Sequence, residues 1–552
     1  MNHFRKQILD QETGTVFKKW HQKISVALVF PHTYAVGMSN LGYQTIYGLL
    51  NTMDHVVCER VFVNKRTQSN ECISIESGRP LADFNIIAFS LFIENDFINI
   101  LHALTLSGIA IRAKERHQNA PLIMAGGVIT FLNPEPVAPF IDIIYIGEAE
   151  TMLPQIFENI DLSQNKTQIL NQIESYPGVY IPERPGKVVR QFIPDISTFQ
   201  TDSTLITPNT TFANTFLIEV SRGCSHGCRY CGSGFVYRPP RFRTYDQLLS
   251  NIDSAQPTTN KIALLGAAVS DLPFLEHLCE YVYQKGMTMA LSSFRADAMS
   301  NQWLTFAVNA GVKTMTIAPD TGSERLRRVV NKGMCESDIL SCVEKLIRAG
   351  IMNIRVYLMI GLPTETWEDM RLTVDFCKKI QSVFIDTSRA NKRIGQMTIN
   401  LNCFIPKAST PFQWTNLEPI ASLQKKIKYL KKHLQKLPNI LFQVDAPRKA
   451  YIQALLSRGD QQMSYLIERA YQLKGNWSQS MKSFELNHWI ESKQTNDPFP
   501  WDFIDQGIQK DFLVQEYQKS LNGETSRGCV TGCHRCGVCK KEQKPRSKYQ
   551  NL

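Results

Sequence analysis

The stretch Ser221-Arg-Gly-Cys224-Ser-His-Gly-Cys228-Arg-Tyr-Cys231 decides the reading of this chain. Its three cysteines stand at C-x3-C-x2-C spacing directly after the apolar run Phe216-Leu-Ile-Glu-Val220, which places them on a loop leaving a strand. Thiolates this close in sequence can ligate one soft metal centre. A cubane [4Fe-4S] cluster takes four thiolates, so three leave one iron open to a ligand that is not protein. A zinc site completed by His226 or by a remote ligand is the plainer alternative, although zinc sites usually pair two short motifs across a longer loop.

From Phe216 onward, apolar strand candidates recur with helical stretches between them: Phe216–Val220, Lys261–Gly266, Thr288–Ser293, Thr314–Pro319, Ile354–Gly361 and Met397–Phe404. This alternation predicts a partial (β/α)6 barrel of the TIM type, with function at the carboxyl ends of its strands. Glycine and polar residues collect at those ends, among them Gly266, Ser293, Arg295, Asp320 and Gly361.

Ahead of the barrel, Ile24-Ser-Val-Ala-Leu-Val-Phe30 reads as a buried strand running into a Gly-containing loop and a helix from Tyr43 to Leu50, the opening of a doubly wound α/β unit. Further apolar runs at Ile86–Ile93, Leu122–Ala125 and Ile141–Ile146 alternate with helical stretches, which predicts a parallel sheet. Gly126-Gly127 and Gly147-Glu148 end two of these strands, where such sheets bind ligands. No G-x-G-x-x-G follows the first strand, which argues against a dinucleotide. Residues 150–200 lose periodicity and gain proline, the mark of a linker.

After Pro419 the periodicity is helical over Ile420–Leu434, Lys449–Leu456, Met463–Leu473 and Lys510–Leu521, predicting a mainly α appendage over the open barrel. Then Ser526-Arg-Gly-Cys529-Val-Thr-Gly-Cys533-His-Arg-Cys536-Gly-Val-Cys539 echoes the first motif with one extra cysteine. Four thiolates can close an auxiliary iron–sulfur cluster or a structural zinc site. Partly redox-active thiols are a third reading, and Lys540 and Lys541 beside them would favour thiolates. The expected domains are therefore an α/β domain over residues 1–190, the barrel over 191–415 and a helical region with the four-cysteine motif over 416–552.

The chain has 552 residues, 43% hydrophobic and 20% charged, the composition of an ordinary globular protein. No apolar run approaches the roughly 20 residues that span a bilayer, and the polar start Met1-Asn-His-Phe-Arg-Lys6 is unlike a signal peptide. A cytoplasmic protein without membrane insertion is expected. Of its 14 cysteines, seven fall in the two clusters, which points to metal or redox chemistry rather than disulfides. The net charge of +11 allows a nucleic-acid partner. Much of the surplus lies at 425–432 and 540–548, where a solvated helix face and a loose end explain it equally well.

The first cysteine motif, with Tyr230 before its last cysteine, resembles the signature of the radical S-adenosylmethionine (radical SAM) family. The resemblance implies a [4Fe-4S] cluster on Cys224, Cys228 and Cys231 whose open iron chelates S-adenosylmethionine, cleaved by one electron to a 5′-deoxyadenosyl radical. A flavodoxin- or ferredoxin-type donor would supply that electron. By the same resemblance Gly266, Ser293, Arg295, Asp320 and Gly361 would line S-adenosylmethionine: Arg295 at its carboxylate, Asp320 at the ribose and the Gly361 backbone at the adenine. Ala267 and Ala268 depart from the family's Gly-Gly-Glu-like second-strand motif, so a carboxylate partner must come from elsewhere, with Asp271 a candidate.

The N-terminal third resembles the cobalamin-binding domain found ahead of many radical SAM barrels, with Ser90, Gly126, Gly127 and Asn133 as the matching residues. The D-x-H-x-x-G motif of that domain is absent, and a vestigial domain without cofactor remains the alternative. Together these features imply cobalamin-dependent methyl transfer to an unactivated carbon. The alternatives are methylthiotransferase-like sulfur insertion into tRNA or protein, and a non-catalytic iron–sulfur electron carrier. The substrate is not named by the sequence.

Overall fold

The computed structural model describes residues 3–63, 72–291, 295–530 and 532–539. The chain forms two compact units. One comprises residues 1–217, 455–489 and 498–507, and the other residues 218–454, 490–497 and 508–552. The division departs from the expected boundaries at 190 and 415: the region 416–552 is not one appendage but is shared between the units.

The first unit is built on a six-stranded sheet of β1 (Ile24–Phe30), β2 (Val56–Phe62), β3 (Ile86–Ser90), β4 (Leu122–Gly126), β5 (Ile143–Tyr145) and β6 (Val179–Tyr180). Its order is β2-β1-β3-β4-β5-β6, parallel except for the antiparallel pair β5/β6. β1 is buried along almost its whole length, as continuous β-branched and apolar runs are when helices cover both faces of a parallel sheet. Helix α1 (Leu41–Thr52) follows β1 and starts where Asn40 caps the Tyr43 amide. The order 2-1-3-4-5 reverses between β1 and β3, which makes the carboxyl ends of those strands the switch-point crevice of a doubly wound fold. The sequence reading had missed β2, whose Glu59 and Arg60 interrupt its apolar pattern; both side chains are buried in polar bonds to Ser74, Glu12 and Glu76.

In the second unit, β7 (Phe216–Glu219), β8 (Lys261–Leu265) and β9 (Thr288–Leu291) form one sheet in the order β9-β8-β7. The strands β10 (Thr314–Asp320), β11 (Asn353–Ile360), β12 (Gln396–Cys403) and β13 (Ile440–Val444) form a second, fully parallel sheet in sequence order. All six expected barrel strands are present. β13 is a seventh, short strand in a region expected to be mainly helical, and it follows helix α2 (Ile420–Leu434). Helices α3 (Glu336–Ala349) and α4 (Trp367–Ala390) make the crossovers around β11; α4 starts at a capping box of Thr366 and Asp369. Among the described residues no helix is long and apolar enough to cross a membrane.

A candidate cysteine-lined radical site

The cysteine loop leaves β7 at Glu219 and turns at Gly223 (φ +82°), where an added Cβ would stand 2.5 Å from the Tyr237 carbonyl oxygen. Only glycine fits both the left-handed φ and that approach. Between Cys228 and Tyr230, Arg229 is fully buried. It donates to the carbonyls of Arg328 and Val329 at 3.1 and 3.0 Å and pairs with Glu516 at 3.1 Å. This long, planar donor fixes the loop to the helix after β10 and to helix α5 (Lys510–Leu521).

Burial pushes the Cys224 thiol up to about 11 and the Cys228 thiol up to about 12, and raises Cys231 as well. The thiols are therefore protonated at neutral pH until a metal displaces the proton. Two cations stand ready for the resulting negative charge. Lys332 is buried, its Nζ 2.8 Å from Asp320 Oδ2, and its charge lowers the affinity of Cys228 for a proton. Arg295 bonds Asp297 and the Lys332 carbonyl, and its charge also reaches Cys228 and Asp271.

Asp320, in the left-handed region at φ +66°, accepts a 2.5 Å bond from Tyr230 at the same oxygen that faces Lys332. Asp320 is thus 5% exposed, with one carboxylate oxygen taken up by Tyr230 and Lys332. Asp271 bonds Ser225 and, at 3.0 Å, His226. Burial alone would raise its pKa, but these bonds outweigh it and hold the carboxyl below its usual range. His226 is therefore engaged by a carboxylate. Among the described residues, no three His, Cys, Asp or Glu side chains, those of the cysteine loop included, converge as the ligands of one ion. Three soft thiols on one loop, backed by two cations, suit a [4Fe-4S] cluster.

Gly266 follows β8 and lies against Ser221, whose Oγ would stand 2.5 Å from an added Cβ. Gly361 (φ +79°) follows β11, and its amide donates to Glu365 at 2.7 Å. Glu365 is buried, with Lys426 2.7 Å from the same oxygen. Of the other expected residues, Ser293 lies outside the described residues.

The second cysteine motif packs on the first. The Cys529 amide donates to the Ser225 carbonyl at 2.5 Å. Asn331 (φ +56°) donates to the carbonyls of Gly227 and Ser526, both at 3.1 Å, and accepts from the Ser526 amide at 2.8 Å. Glu516 holds Arg229 with one oxygen and Ser526 Oγ with the other. Within the motif, Arg535 ties Cys533 Sγ at 3.3 Å and the carbonyls of Arg527 and Gly528. The sequence reading missed Asn331, Lys332 and Glu516. Asn331 alone left a trace, since asparagine is the non-glycine residue that most readily takes a left-handed turn after a helix.

In the first unit, Ser90 ends β3, in register with Gly126 at the end of β4. Gly127 has φ +111°, and an added Cβ would meet the Leu91 carbonyl at 2.4 Å, whereas nothing lies within 4 Å of a Cβ at Gly126. Asn133 stands apart from these three. It is 2% exposed and donates to the carbonyls of Ser457 and Gly459, so it ties main chain together and offers nothing to a ligand.

Comparison with known proteins adds to this geometry. The family described as "Radical SAM superfamily" matches residues 218–377, and "Radical SAM proteins, N-terminal" matches residues 42–182. The chain belongs to the radical SAM superfamily. This radical SAM protein is 26% identical over 497 residues to an uncharacterised protein of Methanocaldococcus jannaschii, covering 89% of this chain and 99% of the relative. It is 23% identical over 220 residues to a tRNA-2-methylthio-N(6)-dimethylallyladenosine synthase of Syntrophus aciditrophicus, covering 38% of this chain and 47% of that enzyme. In structure it is similar to TsrM of Kitasatospora setae, a radical S-adenosylmethionine methyltransferase solved with cobalamin and a [4Fe-4S] cluster. That match has a TM-score of 0.50 at 12% identity and covers 83% of this chain and 98% of TsrM, a likeness of fold.

Proposed function

We propose that this radical SAM enzyme transfers a methyl group to an unactivated carbon, with cobalamin held by its doubly wound unit. A [4Fe-4S] cluster on Cys224, Cys228 and Cys231 would supply the open iron and the electron that cleave S-adenosylmethionine to a 5′-deoxyadenosyl radical. The protein's own part is to bind that cluster through three thiolates, to balance its charge with Lys332 and Arg295, and to shape the adenine side at Gly361. A flavodoxin- or ferredoxin-type protein would deliver the electron.

The observation that carries the methyl-transfer reading is the carboxyl edge of the first sheet. Ser90 and Gly126 lie side by side at the end of β3 and β4, Gly126 opens on free space, and Phe92 just beyond is 58% exposed. A hydroxyl, bare backbone and an exposed ring at the carboxyl edge of a parallel sheet suit a large, flat, partly apolar cofactor. The likeness of fold to a methyltransferase that binds cobalamin supports the same reading.

A second reading, sulfur insertion, is favoured by the four-cysteine motif docked on the first loop and by the likeness of sequence to a methylthio-forming tRNA enzyme. Cobalt separates the two. After anaerobic reconstitution with iron, sulfide and hydroxocobalamin, followed by desalting, about one cobalt per chain supports methyl transfer. Its absence removes that reading and leaves sulfur insertion.

A further inference from the structure

Helix α2 buries Leu423, Leu430 and Leu434 along one side. From Ile420 to Val444 the sequence holds no aspartate or glutamate. Of the lysines in the helix, Lys426 turns inward and is neutralised by Glu365 and Glu418. Lys425, Lys428, Lys431 and Lys432 are exposed, and among the described residues none of these four has a hydrogen bond or an ion pair. The neighbouring helix α4 is built differently: Arg371 pairs with Glu368, Lys378 with Asp375, Lys379 with Glu336 and Arg389 with Asp386. Like charges three and four residues apart weaken a helix. The helix dipole favours Lys431 and Lys432 in the last turn, but does nothing for Lys425 and Lys428. A run of rings stands beside these cations. The His433 ring lies 4.5 Å from that of Tyr429, and Tyr429 lies 5.8 Å from Trp367, edge to face. Trp367 opens α4 and is 51% exposed, so half of its indole adds nothing to the core. Lys425, Tyr429, Lys432 and His433 fall at i, i+4, i+7 and i+8, which sets rings and cations on one face of α2.

We infer that α2 and Trp367 form a docking surface for RNA, with an unpaired base on the Trp367 ring and phosphates against Lys425, Lys428, Lys431 and Lys432. The inference concerns how a partner is held and does not depend on which reaction the chain performs. A row of uncompensated cations suits a polyanion, because each phosphate neutralised releases a counterion. An acidic protein would answer the lysines and leave the rings unused. A duplex keeps its bases stacked inside, whereas the loops and ends of folded RNA splay bases out onto aromatic side chains. Stacking accepts any base, and phosphate contacts carry no sequence, so this surface grips RNA without reading it.

Fluorescence anisotropy on the anaerobically reconstituted full chain tests this, with a labelled oligoadenylate of about twelve nucleotides as the probe. Four phosphate contacts predict a slope of log affinity against log salt of about −3. Lys425→Gln, Lys428→Gln and Lys432→Gln combined should weaken binding by about ten-fold or more and flatten the slope by about two. Trp367→Leu should weaken it about ten-fold with the slope unchanged, since stacking is lost and no charge is. Lys378→Gln, Lys379→Gln and Arg389→Gln combined, the same charge removed from paired positions on α4, should stay within about two-fold of the parent protein. All these side chains are exposed, and circular dichroism checks that each variant is folded. Ultraviolet crosslinking in the producing cells should leave nucleic acid on the parent protein that ribonuclease removes, and less of it on the α2 variant. No binding at low salt, equal loss in the α2 and α4 variants, or an RNA duplex bound as tightly as the single strand overturns the inference. So does crosslinked material that only deoxyribonuclease removes. Polyglutamate competing as well as the oligoadenylate also overturns it and gives the face to an acidic protein. Binding needs no cleavage of S-adenosylmethionine, so failure of this surface and failure of the radical reading are read separately.

Discussion

Asn331 and Ser526 hold each other through two hydrogen bonds, the Ser526 amide donating to Asn331 Oδ1 at 2.8 Å and Asn331 Nδ2 to the Ser526 carbonyl at 3.1 Å. Because Asn331 Nδ2 also reaches the Gly227 carbonyl, one side chain joins the two cysteine loops. Asn331→Ala should therefore loosen the tail first. Losing these bonds and placing alanine in a left-handed turn should cost about 2–3 kcal/mol. Trypsin should then cut after Arg527 several-fold faster than in the parent protein, with the thermal midpoint lowered.

Lys332 is the cation closest in its effect to Cys228, and it is buried against Asp320. Lys332→Met removes a positive charge behind a centre that becomes more negative on reduction. The reduction potential of the reconstituted protein should fall on the order of 60 mV, a tenfold change for a one-electron couple. Lys332→Arg should restore most of it. A redox titration followed by electron paramagnetic resonance reads the shift, and equal potentials in Lys332→Met and the parent would remove Lys332 from the site's electrostatics.

Burial raises Glu365 to about 7 against the pull of Lys426. A carboxyl raised in the folded state is favoured while it keeps its proton. Its contribution is complete below the unfolded value near 4.5 and is lost as pH rises through about 7. Stability should therefore decline between roughly pH 5 and pH 7 by up to about 3 kcal/mol. Glu365→Gln, which keeps an oxygen for the Gly361 amide, should flatten that slope in denaturant unfolding at several pH values.

The barrel was legible because its strands are long apolar runs at regular spacing, and the metal site because Cys224, Cys228 and Cys231 are adjacent in sequence. What escaped the sequence has a common physical cause. Strand β2 hides its apolar pattern behind Glu59 and Arg60, which are buried only because other parts of the chain neutralise them. Strand β13 is short and lies between two helical patterns. Asn133 matched a motif, yet its amide is used up by two carbonyls more than 320 residues away in sequence. The docking of the second cysteine motif on the first uses main-chain groups of Ser225, Gly227 and Ser526, bridged by the side chain of Asn331 from outside both motifs, which no residue type within them announces. The echo of Ser-Arg-Gly-Cys between the two motifs was visible. Their contact was not.

The central claim is that Cys224, Cys228 and Cys231 carry a cluster that cleaves S-adenosylmethionine. The most direct measurement is the yield of 5′-deoxyadenosine from the anaerobically reconstituted, dithionite-reduced protein, alongside the same preparation of Cys228→Ala. The account predicts 5′-deoxyadenosine from the parent protein, and from Cys228→Ala about four fewer irons per chain and no product. Product formed equally by Cys228→Ala, or a parent protein that holds iron and yields none, would contradict it.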